Sequence, residues 1–390
     1  MTPLPPRLTR LWPLAPAVAL YAWFWPLVTP DSTQSYIPWL QHIQAEGPVA
    51  AFATPFGDYS PPYYYVLALL SLFGGALADA SIVKLVGVAG TVLLTLAVHR
   101  LLRVSGVEDS WRLALFTPLL PGVALNASLM ASADSLWAAP CIVALACAVE
   151  RRHLAMLVWC GVALSIKQQA IFAAPFVFGL LYARQVPLRL WLAAPAAFLA
   201  MYLPAWAAGW PLTNLLTVYV RQSGFMDELS LNAPNVWMIV QQLLGPGATA
   251  LTGLALASAL AAAIWLVVRV ARLRPEGSVL IAAALLSPLL VAGLLPRMHE
   301  RYFFLADVLA LAWAAVARTR RASGDAILIQ AGSTLGILAY MSGISGLACL
   351  GAVAMLAATW RIVGVTSPAM RPDASGVLAV GDAADMPAGR

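Results

Sequence analysis

The stretch SVLIAAALLSPLLVAGLLPRMHERYFFLADVLALAWAAVAR, residues 278–318, consists of two long apolar runs joined by a short charged segment. Each run is about as long as a helix that crosses ~30 Å of hydrocarbon, which takes roughly 17–25 residues. The joint holds Arg297, His299, Glu300 and Arg301. The pattern therefore predicts two membrane-spanning helices with ionisable groups gathered at the turn between them.

The composition of the whole chain extends this prediction. Of the 390 residues, 61% are hydrophobic and only 10% are charged, whereas a soluble domain has about 25% charged residues. We predict an all-α polytopic membrane protein with about twelve transmembrane helices. The predicted spans are roughly 11–28, 82–98, 112–128, 134–149, 154–168, 170–184, 188–207, 250–269, 278–295, 302–318, 326–342 and 344–361.

Basic residues set the expected orientation, because cytoplasmic loops are enriched in Lys and Arg. We expect both termini to be cytoplasmic and the apolar stretch 63–77 to lie at the outer leaflet as a juxtamembrane or re-entrant helix. With this arrangement, 18 of the 23 basic residues fall on the cytoplasmic side. We expect one transmembrane domain, 1–363, with a first periplasmic loop at 29–81 and a second at 208–249. The tail 364–390, rich in Ala, Gly, Asp and Pro, is expected to be disordered.

The predicted orientation places one group of polar residues on the outer face of the membrane, at helix ends and in the two long loops. We call this group the outer set. Ionisable groups near hydrocarbon are costly and mark functional sites by default. A carboxylate can serve as a general base, guanidinium groups can hold a phosphate, and amides and aromatic rings can bind a sugar. Together these groups indicate a transferase that uses a lipid-phosphate-linked sugar.

Several motifs of this outer set resemble those of membrane-embedded glycosyltransferases of the C-type fold (GT-C) that use polyprenyl-phosphate sugars. In particular, they resemble dolichyl-phosphate-glucose glucosyltransferases and bacterial relatives of GPI mannosyltransferases. The resemblance covers roughly residues 11–320. Its motifs are the early acid in TPDSTQSYIPWLQHIQAEG, Asp58-Tyr59-Ser60-Pro61-Pro62 in place of DYPPL, Lys167-Gln168, Asn235-Val236-Trp237 and His299-Glu300-Arg301.

The resemblance implies an inverting transfer of a hexose at the periplasmic face of a bacterial inner membrane, with Asp31 as catalytic base. The expected catalytic residues are Asp31 and Asp58; those for the donor phosphate or sugar are Lys167, Gln168, Arg221, Arg297, His299, Glu300 and Arg301; those for the acceptor or sugar are Tyr59, Gln222, Asn232, Asn235, Trp237 and Tyr302.

The expected partners are a polyprenyl-phosphate-linked sugar donor, a lipid-linked or lipid acceptor and membrane lipids, but not nucleic acid, and the chain is expected to be a monomer. Many C-type enzymes have a paired acid at the first site. The segment PDSTQSY supplies Asp31 alone, so we expect no metal or other cofactor.

Structural interpretations compete with these roles. Asp31 could be a helix N-cap, and for Asp134 a capping role is slightly favoured. Lys167 could extend to the headgroups, and His299 and Arg301 could anchor a helix at the interface. Two other functions also stay open, namely a transporter or flippase of lipid-linked sugars and an O-antigen-type polymerase or ligase. Transporters usually place polar groups near mid-membrane, often in repeated halves.

Overall fold

The computed structural model describes residues 12–222 and 228–366, and most of them are helical. The helices are α1 (Leu14–Phe24), α2 (Ile37–Glu46), α3 (Pro61–Ser71), α4 (Asp79–Val104), α5 (Ser110–Ala114), α6 (Pro121–Ala124), α7 (Asp134–Val149), α8 (His153–Ile166), α9 (Ala174–Ala183), α10 (Leu188–Trp191), α11 (Ala193–Ala200), α12 (Leu203–Ala207), α13 (Leu212–Gln222), α14 (Val236–Leu244), α15 (Thr252–Leu273), α16 (Gly277–Leu294), α17 (Phe304–Ala317), α18 (Arg320–Ser342) and α19 (Ser345–Val365). Two short strands, β1 (Ser230–Leu231) and β2 (Met298–His299), pair in parallel. Shorter π- and 3₁₀-helical segments include Ser32–Tyr36, Leu125–Leu129 and Gln168–Ala173.

The helix lengths support a polytopic membrane protein. In the described residues, five segments are long and apolar enough to cross a membrane: Asp79–Val104, Val236–Leu273, Gly277–Leu294, Arg320–Ser342 and Ser345–Val365. A bent pair, Ser110–Leu119 with Pro121–Leu129, would make a sixth, and six other apolar helices have only 10–17 residues. The all-α class is thus supported, whereas the predicted number of twelve spans is not confirmed.

Prolines explain why several predicted spans are broken. The predicted span 112–128 is bent by 58° between Leu119 and Pro121, because proline cannot continue the helical hydrogen-bond ladder. The predicted span 188–207 is divided into α10, α11 and α12, and Pro195 and Pro204 lie within it. A continuous helix over 188–207 was therefore a wrong prediction.

The two predicted outer loops contain regular structure. Only the first nine residues of the stretch 63–77 are helical, as part of the 11-residue helix α3. At 1.5 Å per residue α3 is about 16 Å long, which is too short to cross a bilayer. The second loop, 208–249, contains α13, β1 and α14. Residues 223–227 of that loop, the N-terminal 1–11 and most of the predicted tail, 367–390, lie outside the described residues.

Small residues let the central helices approach closely. Gly161 of α8 faces the backbone carbonyl of Ala194 in α11, and Gly332 of α18 faces Gly351 in α19, with no room for a side chain at either glycine. Such contacts are typical of helix pairs in membranes. The main apolar core is built from α4, α7, α9, α16 and α17.

A second cluster fastens the first loop against the rest of the chain. It is rich in aromatic residues, including Tyr36, Trp39, Tyr63, Tyr64 and Trp210. The Ser60 hydroxyl donates to the Ile166 carbonyl at 2.6 Å. This contact brings the loop that follows α1 to the end of α8, where Lys167 lies.

Candidate active site

The charged joint between α16 and α17 is held by the second loop. Strand β2 pairs with β1, with Leu231 opposite His299. The Arg297 amide donates to the Leu229 carbonyl at 2.8 Å, and Arg297 adopts a φ of 60°. The strand pair thus fixes the backbone immediately before Glu300 and Arg301.

Arg301 lies at the centre of the candidate site. Its Nη1 contacts Asp31 Oδ2 at 3.0 Å and Glu300 Oε1 at 3.1 Å, and its Nε lies 4.0 Å from Asp134 Oδ2. The Arg301 side chain is 12% exposed, Glu300 is 1% exposed and Asp31 is 33% exposed. Asp31 is therefore the most accessible carboxylate around Arg301, and 270 residues separate the two in sequence.

The backbone around Asp31 shows what its carboxylate does. Asp31 has helical angles at the start of the π-helical segment Ser32–Tyr36, and its side chain makes no capping hydrogen bond. The carboxylate contacts Arg301 instead. The helix-capping alternative for Asp31 therefore does not describe this structure.

Lys167 forms a buried ion pair with Asp134 at a distance of 2.6 Å. Asp134, which is 2% exposed, also accepts from Asn126 Nδ2 at 2.9 Å, Ser132 Oγ at 3.1 Å and Trp137 Nε1 at 2.9 Å. Asp134 thus orients Lys167 from one side of the site and lies beside Arg301 on the other. Sequence reasoning favoured a cap for Asp134 and missed this position.

Tyr59 joins the first loop to this pair. Lys167 lies over the Tyr59 ring, 5.3 Å from its centroid, and the Tyr59 hydroxyl is 3.1 Å from that of Tyr36. Lys167 itself has an extended backbone at the break between α8 and the 3₁₀ segment Gln168–Ala173. The half-buried Gln168 follows it directly.

The charges around Arg301 stabilise each other. Burial opposes ionisation of Glu300, but the Arg301 guanidinium and His299 outweigh burial, so the pKa of Glu300 lies below its ordinary value. Burial likewise opposes the charge of Arg301, but Glu300 and its other neighbours raise the pKa of Arg301 well above its usual range. Both groups are therefore charged at neutral pH.

The site has three carboxylates (Asp31, Asp134, Glu300) against two permanent cations (Lys167, Arg301). Arg301 Nε is buried, and it has no hydrogen-bond partner among residues 12–222 and 228–366. A further acceptor can therefore still be bound by the guanidinium.

Two further predicted residues border this cluster. The Nδ1 atom of His299 lies 3.7 Å from Glu300 Oε2. The Tyr302 ring is 5.2 Å from the His299 ring and 5.9 Å from Phe172. Both residues are half-buried and flank Glu300 and Arg301 in the chain.

Other predicted residues lie away from the ion pairs. Asp58 is exposed, and its backbone carbonyl accepts from the Gln222 side chain. The carboxylate of Asp58 has no salt bridge to any residue that the structure describes. Arg221 is exposed and donates to the Asn214 carbonyl of its own helix at 3.0 Å.

Three residues of the second loop have evident structural uses. Asn232 adopts a φ of 58° and bridges to His299. Asn235 caps α14, accepting from the Met238 amide at 3.0 Å, and donates to the Ala292 carbonyl at 3.2 Å. Trp237 Nε1 donates to the Leu294 carbonyl at 2.5 Å. These contacts tie the loop to the end of α16.

An apolar cavity of about 410 Å³ lies beside the Lys167 segment. Most of its walls come from α7, α8, α9, α11 and the 3₁₀ segment Gln168–Ala173, and single residues of α10, α13 and α16 and two of α17 complete it. Leu164 and Ala170, which precede and follow Lys167 in the chain, both line the cavity. Ile171 and Phe178, which also line it, are 49% and 45% exposed. The cavity is therefore open on the apolar surface of the molecule.

Residues 55–184 match the family model for the N-terminal domain of the alpha-(1->6)-mannopyranosyltransferases of the MptA_B family, a mannosyltransferase family of the GT-C type. The match covers one third of the chain and supports a glycosyltransferase. It includes Asp134 and Lys167 but neither Asp31 nor Arg301. The specific resemblance to dolichyl-phosphate-glucose glucosyltransferases is not confirmed by it. No curated protein matches the chain.

Proposed function

We propose that this protein is an inverting glycosyltransferase that moves a hexose from a polyprenyl-phosphate donor to a lipid-linked or lipid acceptor. The observation that carries the proposal is the contact of Asp31 with Arg301 at 3.0 Å, beside the Lys167–Asp134 pair. A general base and two phosphate-binding cations are thereby in one place. Because the family match is to mannosyltransferases, mannose is the first sugar to test.

In the proposed reaction, the donor phosphate binds Arg301 and Lys167 and competes with Asp31 for the guanidinium. The released Asp31 carboxylate takes the proton of an acceptor hydroxyl, whose oxygen attacks the anomeric carbon. The bond between that carbon and the phosphate oxygen breaks, and polyprenyl phosphate leaves with the electron pair. The two cations stabilise the negative leaving group by electrostatic preorganisation.

The donor lipid has a suitable place beside the phosphate site. We assign its isoprenoid chain to the apolar cavity, because the cavity lies next to Lys167 and is open at Ile171 and Phe178. None of the residues that line the cavity belongs to α3, so the proposed lipid site does not involve the helical part of the stretch 63–77.

The position of the charged residues at helix ends favours a transferase over a transporter. Asp134 is the first residue of α7, Lys167 follows the last residue of α8, and Arg301 precedes α17. Charged groups at helix ends suit chemistry at one membrane face, whereas transporter sites lie near the midplane. We place this face in the periplasm of a bacterial inner membrane, and we propose that the reaction needs no metal.

The test is transfer by purified protein in nanodiscs, with radiolabelled polyprenyl-phosphate mannose as donor and membrane lipids as acceptor. Wild-type protein is expected to turn over this monophosphate donor. Asp31→Asn should lower the rate by about 10²–10⁴-fold, the usual contribution of a general base. It should leave donor binding intact, because Arg301 loses a competing anion.

Asp79→Asn is the matched control. Asp79 is a half-buried acid in the predicted first loop, away from the ion pairs, and it accepts hydrogen bonds from Gln41 and Gln44. Near-wild-type turnover by Asp31→Asn would remove the proposed base. Turnover only with diphosphate-linked oligosaccharides would favour a polymerase, and movement of lipid-linked sugar without transfer would favour a flippase.

A further inference from the structure

Lys84 is a buried cation that the proposed reaction does not use. The chain has only two lysines among its 23 basic residues. One is Lys167 of the candidate site. The other, Lys84 in the second turn of α4, is 1% exposed. A charge buried in an apolar helix is costly and needs a specific partner.

The partners of Lys84 are backbone carbonyl groups at the end of α1. Its Nζ donates to Phe24 O at 3.1 Å, Trp25 O at 2.8 Å and Leu27 O at 2.5 Å. The last carbonyls of a helix have no partner within the helix, and a cation there is also favoured by the helix dipole. An ammonium has three donors, and three carbonyls receive them. No carboxylate of a described residue lies within salt-bridge distance of Lys84.

A second contact fastens the same point. Trp25 Nε1 donates to Ser81 Oγ, in the first turn of α4, at 3.0 Å. The Trp25 ring lies 5.7 Å from Lys84 Nζ. The end of α1 is thus held against the start of α4 by two side chains one helical turn apart.

The held segment leads directly to Asp31. Leu27, the last carbonyl acceptor, precedes Asp31 by four residues. Between them, Thr29 is buried, and its carbonyl accepts from the Ser32 amide at 3.0 Å while its hydroxyl contacts Ser32 Oγ at 3.2 Å. The backbone between the Lys84 contact and the Asp31 carboxylate is therefore short and hydrogen-bonded at both ends.

We infer that Lys84 is a positioning residue, which fixes the end of α1 so that the Asp31 carboxylate faces Arg301. The inference rests on the proposed function of Asp31 as base. Lys84 does not touch Arg301 or the other cation of the site. Its loss should therefore affect the chemical step rather than donor binding.

The test compares Lys84→Met, which keeps the length of the side chain but removes its donors, with wild type. We expect kcat to fall roughly 100-fold, the size of effect that a misplacement of about 1 Å can have, while the donor KM stays within about threefold. Lys84→Arg should recover most of kcat. The control is Leu93→Met, a substitution at an exposed apolar position of the same helix, and it should change neither constant.

Hydrogen–deuterium exchange by mass spectrometry gives a readout independent of transfer. Lys84→Met should speed exchange in peptides that cover residues 25–36 but not in those from α15. Faster exchange at residues 25–36 would support the positioning role even if the wild-type protein turned over none of the tested donors. The absence of turnover would count against the proposed function alone. Unchanged kcat in an active protein, or unchanged exchange at 25–36, would overturn the inference.

A milder variant covers the case in which Lys84→Met does not fold. Ser81→Ala removes only the Trp25 contact and should cause a smaller change of the same kind in kcat and in exchange at 25–36. If Ser81→Ala leaves both unchanged while Lys84→Met unfolds the protein, Lys84 serves the stability of the whole fold and the positioning role is wrong.

Discussion

At the scale of single residues, Asp134 organises both cations of the candidate site. It receives four hydrogen bonds or ion-pair contacts at once, from Lys167, Asn126, Ser132 and Trp137. A carboxylate satisfied in this way is held rigidly and stays ionised beside positive charges. Asp134 therefore fits a positioning role for Lys167 better than proton transfer, and Asp31, which is more exposed, fits the role of base.

The Lys167–Asp134 pair should be strongly coupled in stability. Removing one partner of a buried pair leaves an uncompensated charge and costs about 3–5 kcal/mol. Lys167→Met and Asp134→Leu should each lower the thermal unfolding midpoint in detergent. The double variant should lower the unfolding midpoint by clearly less than the sum of the two single effects, because no unpaired charge of this pair remains.

The same cycle on Arg100 and Glu150 is the matched control, since that ion pair is partly exposed at 3.0 Å and should contribute no more than about 1 kcal/mol. Additive effects of Lys167→Met and Asp134→Leu would contradict the central place of Asp134 in the site.

Local sequence could not reveal the role of Asp134. An acid at the first position of a helix is also the ordinary pattern of a favourable helix N-terminus, and only its distance to Lys167 distinguishes the two. Asp31 was equally ambiguous in the sequence, since it could be a helix N-cap or a catalytic base. Only the resemblance of its motif to the C-type glycosyltransferases favoured the role of base. The contact of Asp31 with Arg301 at 3.0 Å agrees with the prediction that both belong to one polar set, while the membrane face on which that set lies stays a prediction.

At the scale of structural elements, the 3₁₀ segment Gln168–Ala173 lies between Lys167, which we propose binds the donor phosphate, and the cavity. Lys167 lies immediately before it, and Ile171, about half-exposed, stands at the cavity wall. A bulkier residue at position 171 should obstruct a lipid chain there without touching the ion pairs.

Ile171→Trp should therefore raise the KM for long-chain polyprenyl-phosphate donors by roughly tenfold or more, since each 1.4 kcal/mol of lost contact is a factor of ten. It should leave the KM for a short-chain donor of two isoprene units nearly unchanged. The measurement is initial rate against donor concentration for both chain lengths. Leu93→Trp, on the exposed apolar side of α4, is the control. An equal effect on both donors would place the lipid chain elsewhere.

Element boundaries were predictable where an apolar run contains no proline, as in α19. They were not predictable where proline divides a run, as in 188–207, or where a loop folds on itself. The second loop pairs β1 with β2 over only two residues each, too few to leave an alternating pattern in the sequence. The structural uses of Asn235 and Trp237 depend on that pairing, so the sequence instead suggested sugar contacts for them.

At the scale of the whole molecule, four separate regions meet around Arg301. They are the segment after α1, the start of α7, the break after α8 and the turn before α17. The span count, the membrane orientation and the single domain 1–363 stay predictions. The meeting of these regions does not depend on them, because it follows from the packing of the described helices.

The most direct test of the account is a structure of the protein with a non-hydrolysable polyprenyl-phosphate sugar analogue in nanodiscs. We expect the phosphate within hydrogen-bonding distance of Arg301 and Lys167, the Asp31 carboxylate released from Arg301 and turned toward the anomeric carbon, and the lipid chain in the cavity beside Ile171. A phosphate bound elsewhere, for example against Arg221, with the Asp31–Arg301 contact intact, would contradict it.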